Sequence, residues 1–427
     1  MGHSSASIEA SKKAWSMASL VFLATMAAYI ARVNISVALP YMSEDFGWDR
    51  VQEGLYGGLL LGIFLVGYGL SNIFLSPLVD RFGARRSLLV AIATFSLLTF
   101  FMGLVGLMFS FLLLARVLLG VAQGIVYPSA SKATQAWFPQ GKRSKVNSLH
   151  LSAMLWSNLL VPIILIPVIV MTDWRYAFLV VAGMCALTLI PINLYLKDSP
   201  NHSQNESTSC AAHTPLRLKV INDLREASRI RGLFSLSGAD AAGNMVWWGI
   251  SLWLPSYLKA QGMAPSEIMW VASLPYFGGI AGLLIGSYLS DRTGKVLVIT
   301  VLFQAAGAIT LLLMVGVNSP IATMAVLACL FFCIALLPPN AFTLLQNVAP
   351  PEIIGSATGI MNGIAVGMGA IGPILLGTVV AASGSFEAGF VIMAGLQVLS
   401  SLLLLRFGEL SKQRSLEVKM VAELGTK

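Results

Sequence analysis

Two arginines stand inside stretches of this sequence that are otherwise apolar. Arg32 lies in the run 15–39, and Arg116 lies in the run 111–124. A guanidinium stays charged in proteins and a charge in hydrocarbon is costly, so each side chain must face water or a negative partner. Neither run contains an acidic residue. The two arginines predict an internal anion-binding site, with a snorkelling or structurally paired arginine as the alternative.

The two arginines are expected at the same depth. Arg32 is eight residues before Pro40, and Arg116 is eight residues after Met108. At about 1.5 Å of helix per residue, each lies about 12 Å below the outer end of its helix. Two guanidinium forks at one level suit a carboxylate or a phosphate, because each fork can donate two parallel hydrogen bonds.

The helical faces that carry the arginines hold further polar side chains. Residues three or four positions apart share a face of a helix. Two of these neighbours are tyrosines, which are equally well explained as packing or membrane-interface residues. The residues that we expect to line a cavity with the arginines are Tyr29, Ser36, Gln123 and Tyr127.

Two titratable residues are candidates for coupling to a proton. Asp240 is nine residues past Arg231, which is about 13 Å along a helix. Trp248 is eight residues further on, on the same face of that helix, and is expected to meet the substrate. The alternatives for Asp240 are a counter-ion to the arginines and a hydrogen-bonded packing acid. His150, at the start of an apolar span, titrates near neutral pH, although a histidine at a membrane edge is more often interfacial.

The composition is that of a membrane protein. Apolar residues make up 56% of the chain and charged residues 11%, less than half of the quarter that is usual in globular proteins. We expect an all-α protein with twelve transmembrane helices, each about 20 residues long, rather than a β-barrel with alternating strands. The apolar stretches are centred near residues 27, 62, 97, 120, 158, 184, 244, 278, 306, 335, 367 and 396.

The net charge of +8 is explained by topology. Of the 27 Lys and Arg residues, 22 lie in segments on one side of the implied membrane. This positive-inside pattern predicts cytoplasmic termini, most simply in a cell or inner membrane, and it makes a nucleic-acid partner unnecessary. The four cysteines form no disulfide or metal pattern, and the sequence has no phosphate loop or catalytic triad. We therefore expect a monomer without cofactor, metal or enzymatic activity.

The chain contains an internal repeat. Pro128 and Pro339 differ by 339 − 128 = 211 positions, as do Pro162 and Pro373. The same offset separates two charged turns, and a constant offset across half a chain indicates duplication. The glycine in each turn permits a tight connection between two helices. The charged residues could form ion pairs that hold the protein in one conformation. Positive-inside bias alone would also explain the basic residues. The residues of these turns are Asp80, Arg81, Gly83, Arg85 and Arg86, and Asp291, Arg292 and Gly294.

The repeat predicts two six-helix bundles. A polar segment with few apolar residues separates the halves, and it is either an amphipathic helix on the inner headgroups or a solvated linker. The predicted regions are a cytoplasmic tail (1–14), an N-terminal bundle (15–196), a cytoplasmic linker (197–230), a C-terminal bundle (231–406) and a cytoplasmic tail (407–427).

These features resemble the major facilitator superfamily over residues 15 to 406. Within it, the stretch Tyr29 to Asn34 and the stretch Arg116 to Gln123, followed by Tyr127-Pro128, resemble the anion:cation symporter family. This resemblance implies organic-anion transport by alternating access, with Arg32 and Arg116 holding the anion. Proton-driven members of its bacterial branch have acids where this chain has Ala31 and Gln123, so their proton relay does not carry over.

We therefore expect a secondary transporter of a small organic anion, either a carboxylate or a phosphorylated metabolite. The driving force would be a proton, a sodium ion or the membrane potential. One alternative is an exchanger of organic phosphate for inorganic phosphate, but the seventh-span arginine of the family with that activity falls at Trp247 here. The other is a sensor without transport, which the short tail after Arg406 makes less attractive.

Overall fold

The computed structural model describes residues 2–75, 79, 82–105, 108–138, 140–198, 224–317, 319–350 and 353–424, and within these ranges it contains helices and no strand. The all-α prediction is confirmed. The helices of the first half are α1 (Gly2–Asp45), α2 (Arg50–Gln52), a π-helical turn (Glu53–Gly57), α3 (Gly58–Phe74), α4 (Ala84–Val105), α5 (Phe109–Gln123), α6 (Val126–Trp137), α7 (Gln140–Met171) and α8 (Trp174–Tyr195).

The second half has a similar series of helices. They are α9 (Leu233–Ala260), α10 (Pro265–Val271), α11 (Pro275–Thr293), α12 (Val296–Leu313), α13 (Pro320–Ile334), α14 (Leu337–Gln346), α15 (Ile354–Gly369), α16 (Ile371–Ser383) and α17 (Phe386–Leu424).

Eleven helical segments in the described part of the chain are long and apolar enough to cross a membrane. The remaining long helix is α9, with 28 residues, and it has a more polar composition because its first half contains Ser235, Ser237, Asp240 and Asn244. Counted with α9, the segments agree with the twelve predicted spans. A polar helix among apolar ones is expected where side chains face protein or water instead of lipid.

The internal repeat is visible in the helix boundaries. Helix α5 begins at Phe109 and α13 at Pro320, and 320 − 109 = 211. Their ends, Gln123 and Ile334, also differ by 334 − 123 = 211. In both halves a break follows, and a second helix, α6 or α14, continues in the same span. Spans four and ten are thus interrupted at equivalent positions.

The described residues fall into two compact units. The first contains those within Met1–Asp49, Leu59–Ala211 and Leu252–Ser273, and the second contains those within Arg50–Gly58, Ala212–Ser251 and Leu274–Lys427. Most of each unit comes from one half of the sequence, and one short segment comes from the other half. The bundle boundaries given above stay a prediction, and most of the linker, residues 199–223, lies outside the described residues.

Three glycines join α11 to the α13 span in the second unit. A Cβ on Gly278 would overlap the carbonyl oxygen of Ala328, and a Cβ on Gly282 would overlap that of Phe332. A Cβ on Gly286 would lie 2.7 Å from the side chain of Leu336. Glycines spaced by four residues allow two helix backbones to approach closely in a membrane, where van der Waals packing drives helix association. This contact fixes span eight against span ten.

Replacing Gly282 by leucine should destabilise the second unit, because the new side chain must displace the backbone of α13. Overpacking of this kind costs roughly 1–3 kcal/mol. Thermal unfolding of the detergent-purified protein should show a lower midpoint for Gly282→Leu than for wild type. Gly359→Leu is the matched control, since a Cβ there meets no neighbouring atom within 4 Å. Equal midpoints for the two variants would contradict the packing argument.

Candidate functional site

Arg32 is held on α1 by one amide and three aromatic rings. Its side chain is buried, with 4% of the residue exposed. Nε and Nη2 both donate to Oε1 of Gln123, each at 3.3 Å. The guanidinium carbon lies 4.5 Å from the ring centroids of Tyr29 and Tyr68 and 4.8 Å from that of Phe64. Aromatic faces stabilise a cation through their quadrupole without neutralising it.

Arg116 is fully buried on α5 and is bound by backbone carbonyls. Its Nε donates to the carbonyl oxygen of Leu60 at 3.1 Å, and its Nη1 donates to that of Arg32 at 3.2 Å. Its guanidinium carbon is 4.9 Å from the ring centroid of Phe64, which also contacts Arg32. Among the described residues, Nη2 of Arg116 has no hydrogen-bond partner. The structure thus brings the two predicted arginines together around one phenylalanine ring.

Two more polar groups near this pair lack partners. Nε2 of Gln123 and Oγ of Ser36 are buried and make no hydrogen bond within the described part of the chain. Buried polar groups are nearly always paired, with protein or with water. These two groups join Nη2 of Arg116 as buried polar atoms for which the described residues supply no partner.

The sequence analysis missed Phe64 and Tyr68. Both lie on α3, four residues apart, so they share one face of that helix. Their signal was an aromatic pair in a glycine-rich span. Of the predicted tyrosines, Tyr29 is 8% exposed and packs on Arg32, whereas Tyr127 is half-buried.

Asn34 is a second buried polar residue that the sequence analysis did not assign. Both its amide oxygen and its amide nitrogen are without partners among the described residues. It stands two residues after Arg32, so it points to a different side of α1. Asn34 therefore marks another polar position on α1 and is separate from the arginine pair.

Asp240 and Trp248 lie on α9 in the second unit. Asp240 is 2% exposed, and its Oδ1 accepts a hydrogen bond of 3.2 Å from Nδ2 of Asn244. Trp248 is 5% exposed, and its ring packs on Gly369 of α15, where a Cβ would lie 3.1 Å from Cδ1. Asp240, Asn244 and Trp248 are spaced by four residues and so share one face of α9, and a contact of Trp248 with substrate stays a prediction.

His150 is buried at the start of the fifth span. Its Nε2 lies 3.4 Å from the carbonyl oxygen of Ala18 on α1. Around it, Ala18, Phe138 and Val146 belong to one small apolar cluster. These contacts describe a histidine packed between helices, and its role in coupling stays a prediction.

The charged turn after the second span has a carboxylate partner in Asp198. Asp80 and Arg81 lie outside the described residues. Gly83 has a φ of +85°, which favours glycine, and a Cβ there would lie 2.9 Å from the Asp198 carboxylate. The same carboxylate accepts the backbone N–H of Arg85 at 2.8 Å, and the Arg85 side chain donates to the carbonyl oxygen of Asn193 at 2.5 Å. Asp198, just past α8, therefore caps the start of α4.

The equivalent turn in the second half is built differently. Gly294 ends α11 with a φ of +65°, so the tight turn is retained. Nη1 of the exposed Arg292 lies 3.3 Å from the Tyr288 hydroxyl, and the side chain of Asp291 lies outside the described residues. Arg86 is exposed. A latch role for either turn stays a prediction.

The C-terminal end of α1 is bound at two points in the first unit. Asp45 accepts from Arg175, at the start of α8, at 2.7 Å. Glu44 accepts from Lys259, at the end of α9, at 2.8 Å, and the Lys259 ammonium also lies 4.2 Å from the ring centroid of Tyr41. Helix α1 therefore contacts both the sixth and the seventh span near its C-terminal end.

Comparisons with known proteins agree on a family. The family model described as Major Facilitator Superfamily matches residues 21–373. A hexuronate transporter of Bacillus subtilis is 27% identical over 402 residues, which are 91% of this chain and 93% of that protein. A probable sulfoacetate transporter of Cupriavidus necator is 28% identical over 393 residues, covering 86% of this chain and 88% of that protein. The solved structure of a D-xylose-proton symporter has the same fold, with a TM-score of 0.74 at 16% identity over 91% of this chain and 97% of that chain.

Removing the Asp198 cap should destabilise the protein. Asp198→Ala deprives the N–H of Arg85 of its acceptor, and loss of a helix cap costs about 1 kcal/mol. Thermal unfolding of the purified protein should show a lower midpoint for Asp198→Ala, with a smaller loss for Asp198→Asn, which keeps an acceptor oxygen. Glu409→Ala, which removes an exposed carboxylate on α17, is the control. A midpoint for Asp198→Ala equal to that of the control would exclude the capping role.

Proposed function

This chain belongs to the major facilitator superfamily, and from that premise we propose that it is a secondary transporter of a small organic anion bound by Arg32 and Arg116. It is a multi-span membrane transporter and not an enzyme. The names of its relatives, hexuronate and sulfoacetate transporters, both denote organic anions. They support the class of substrate and leave its identity open.

The observation that carries this proposal is the buried charge of Arg116, whose Nη2 has no partner among the described residues. Arg116 is completely buried and donates its hydrogen bonds to two backbone carbonyl oxygens, so no carboxylate among the described residues neutralises it. Burying a charge without a counter-charge is strongly unfavourable. An incoming anion would accept from the open Nη2 of Arg116 and supply that counter-charge.

The neighbouring groups suit an anion that has further polar atoms. Nε2 of Gln123 can donate, and the Ser36 hydroxyl can donate or accept. The rings of Phe64 and Tyr68 add apolar walls, as is usual in small-molecule sites. A hydroxylated or substituted carboxylate would use both kinds of surface.

Phosphate exchange has less support in this chain. The position of the seventh-span arginine in that family is Trp247, and its ring packs against Phe331 and Tyr276, with centroid distances of 5.4 and 6.3 Å. A tryptophan engaged in aromatic packing supplies no charge for a phosphate. Phosphate esters therefore belong in the test as competitors.

Transport would proceed by alternating access, the mode of the superfamily. The positive-inside charge pattern supports cytoplasmic termini and a cell or inner membrane. For the outer side to open, Lys259 would have to leave Glu44 and Tyr41. The driving force is a coupling ion or the membrane potential.

Replacing either arginine by alanine should reduce anion uptake into proteoliposomes by at least about tenfold, the equivalent of ~1.4 kcal/mol. Uptake of radiolabelled D-glucuronate, with sulfoacetate, tartrate and glycerol phosphate as competitors, measures both rate and preference. Arg229→Ala, which removes an exposed arginine outside the site, is the control. Normal uptake by both Arg32→Ala and Arg116→Ala would refute the binding site.

Replacing Gln123 by glutamate should weaken anion binding. The new carboxylate would stand at the position of Oε1, 3.3 Å from two nitrogens of Arg32, and would compete with the substrate. We expect the apparent affinity for a transported anion to fall at least about tenfold at neutral pH. Gln123→Leu separates this effect from loss of the hydrogen bond. Tighter binding by Gln123→Glu than by wild type would show that Arg32 does not hold the anion.

A further inference from the structure

Asp240 is the one buried carboxylic acid in the described part of the chain. It lies on α9, and the hydrogen-bond partner of its carboxylate is the amide of Asn244, on the same helix. That amide nitrogen also donates to the backbone carbonyl oxygen of Asp240 at 2.9 Å. One shared amide is weak compensation for an ionised carboxylate.

The helices packed against α9 bring no cation to Asp240. The hydroxyl of Ser400 on α17 donates to the carbonyl oxygen of Ala239 at 2.9 Å, which places that part of α17 beside the acid. The nearest charged residues of α17 along the chain are Arg406, six residues on, and Glu387, 13 residues back. At about 1.5 Å per residue they are about 9 and 20 Å away along the helix.

Helices α14 and α15 also pack against this part of α9. Leu337 of α14 contacts the position of Gly243, and a Cβ on Gly369 of α15 would lie 3.5 Å from Cβ of Asn244. Neither helix contains an Asp, Glu, Lys, Arg or His residue. Among the described residues, Asp240 therefore has no ion pair.

We propose that Asp240 is the proton-binding site that couples a proton gradient to the anion transport proposed above. A carboxylate buried without a cation is costly, whereas a protonated carboxyl is neutral and can donate a hydrogen bond. The carboxylate takes up one proton when its surroundings open to one side of the membrane, and it loses that proton on the other side. Proton and anion then cross in the same cycle.

A proton fits this site better than a sodium ion. Hard cations bind through several oxygen ligands, usually from more than one acidic or carbonyl group. No group of three or more acidic, histidine or cysteine side chains that could hold a metal ion occurs in the described residues. Asp240 with one neighbouring amide suffices for a proton.

This coupling rests on the proposed function, but its location does not follow from the family resemblance. Proton-driven relatives in that resemblance have acids at the positions of Ala31 and Gln123, in the first unit. Here both positions are uncharged, and the buried acid is in the second unit. The proton and the anion would thus be bound by different units of the protein.

The protonation step can be tested without any substrate. Infrared difference spectra of the purified protein, recorded across a pH titration, should contain the C=O band of a carboxylic acid that disappears as the pH rises. Asp240→Asn should lack this titrating band, and Asp240→Glu should restore one at a shifted position. A spectrum of Asp240→Asn that is identical to that of wild type would overturn the assignment.

The coupling step needs two transport assays with D-glucuronate in proteoliposomes. Counterflow requires no net proton movement, so Asp240→Asn should keep it within about twofold of wild type, whereas accumulation driven by a pH gradient should fall at least about tenfold. Ser400→Ala, which changes the neighbouring contact without removing an acid, should keep both. Unchanged accumulation by Asp240→Asn would overturn the coupling role, as would loss of counterflow together with accumulation.

The controls separate this inference from the proposed function. If wild type moves none of the tested anions, the proposed function fails while the infrared result still decides whether Asp240 binds a proton. If a sodium gradient drives accumulation and a pH gradient does not, the proton assignment is wrong.

Discussion

The structure of the first unit depends on how it keeps two guanidiniums in a low-dielectric interior. Arg32 and Arg116 meet at the ring of Phe64, where like charges repel and water is scarce. The groups that contact them include the Gln123 oxygen, two backbone carbonyls and three aromatic rings. Such groups lower the energy of a cation without cancelling its charge. In the function proposed above, the incoming anion would supply the counter-charge that Arg116 lacks among the described residues.

Close helix packing makes this arrangement possible. A Cβ on Gly120 of α5 would overlap the carbonyl oxygen of Phe64, and one on Gly67 of α3 would overlap that of Val117. Both positions are glycine, so the two backbones are in contact, and Phe64 reaches the arginines of α1 and α5. Small residues at helix contacts are the usual means of close approach in membranes. Here they also determine where an aromatic ring lies.

The two units differ in the sign of the charge that they leave unbalanced. The first has buried arginines without a carboxylate on Arg116, and the second has Asp240 without a cation among the described residues. An anion lowers the electrostatic energy of the first, and a proton lowers that of the second. This difference in charge would give the proposed coupling of proton and anion its physical basis.

The sequence by itself determined the features that arise from local composition and from the cost of burying charge. Apolar length predicted the spans, the offset of 211 predicted the duplication that the helix boundaries repeat, and an arginine in an apolar run drew attention to Arg32 and Arg116. Each of these can be read from neighbouring residues or from a repeat.

Only the tertiary structure decided which distant residues meet. Gln123 binds Arg32 across 91 positions, and Asp198 caps α4 across 113 positions. Nothing in the sequence distinguishes Phe64 and Tyr68 from other aromatic residues. The packing of α3 against α1 and α5 places their rings on the arginines. The physical reason is that two distant residues meet only when their helices pack together. That packing is stabilised by many weak interactions spread along each helix, so it cannot be predicted from the residues near any one position.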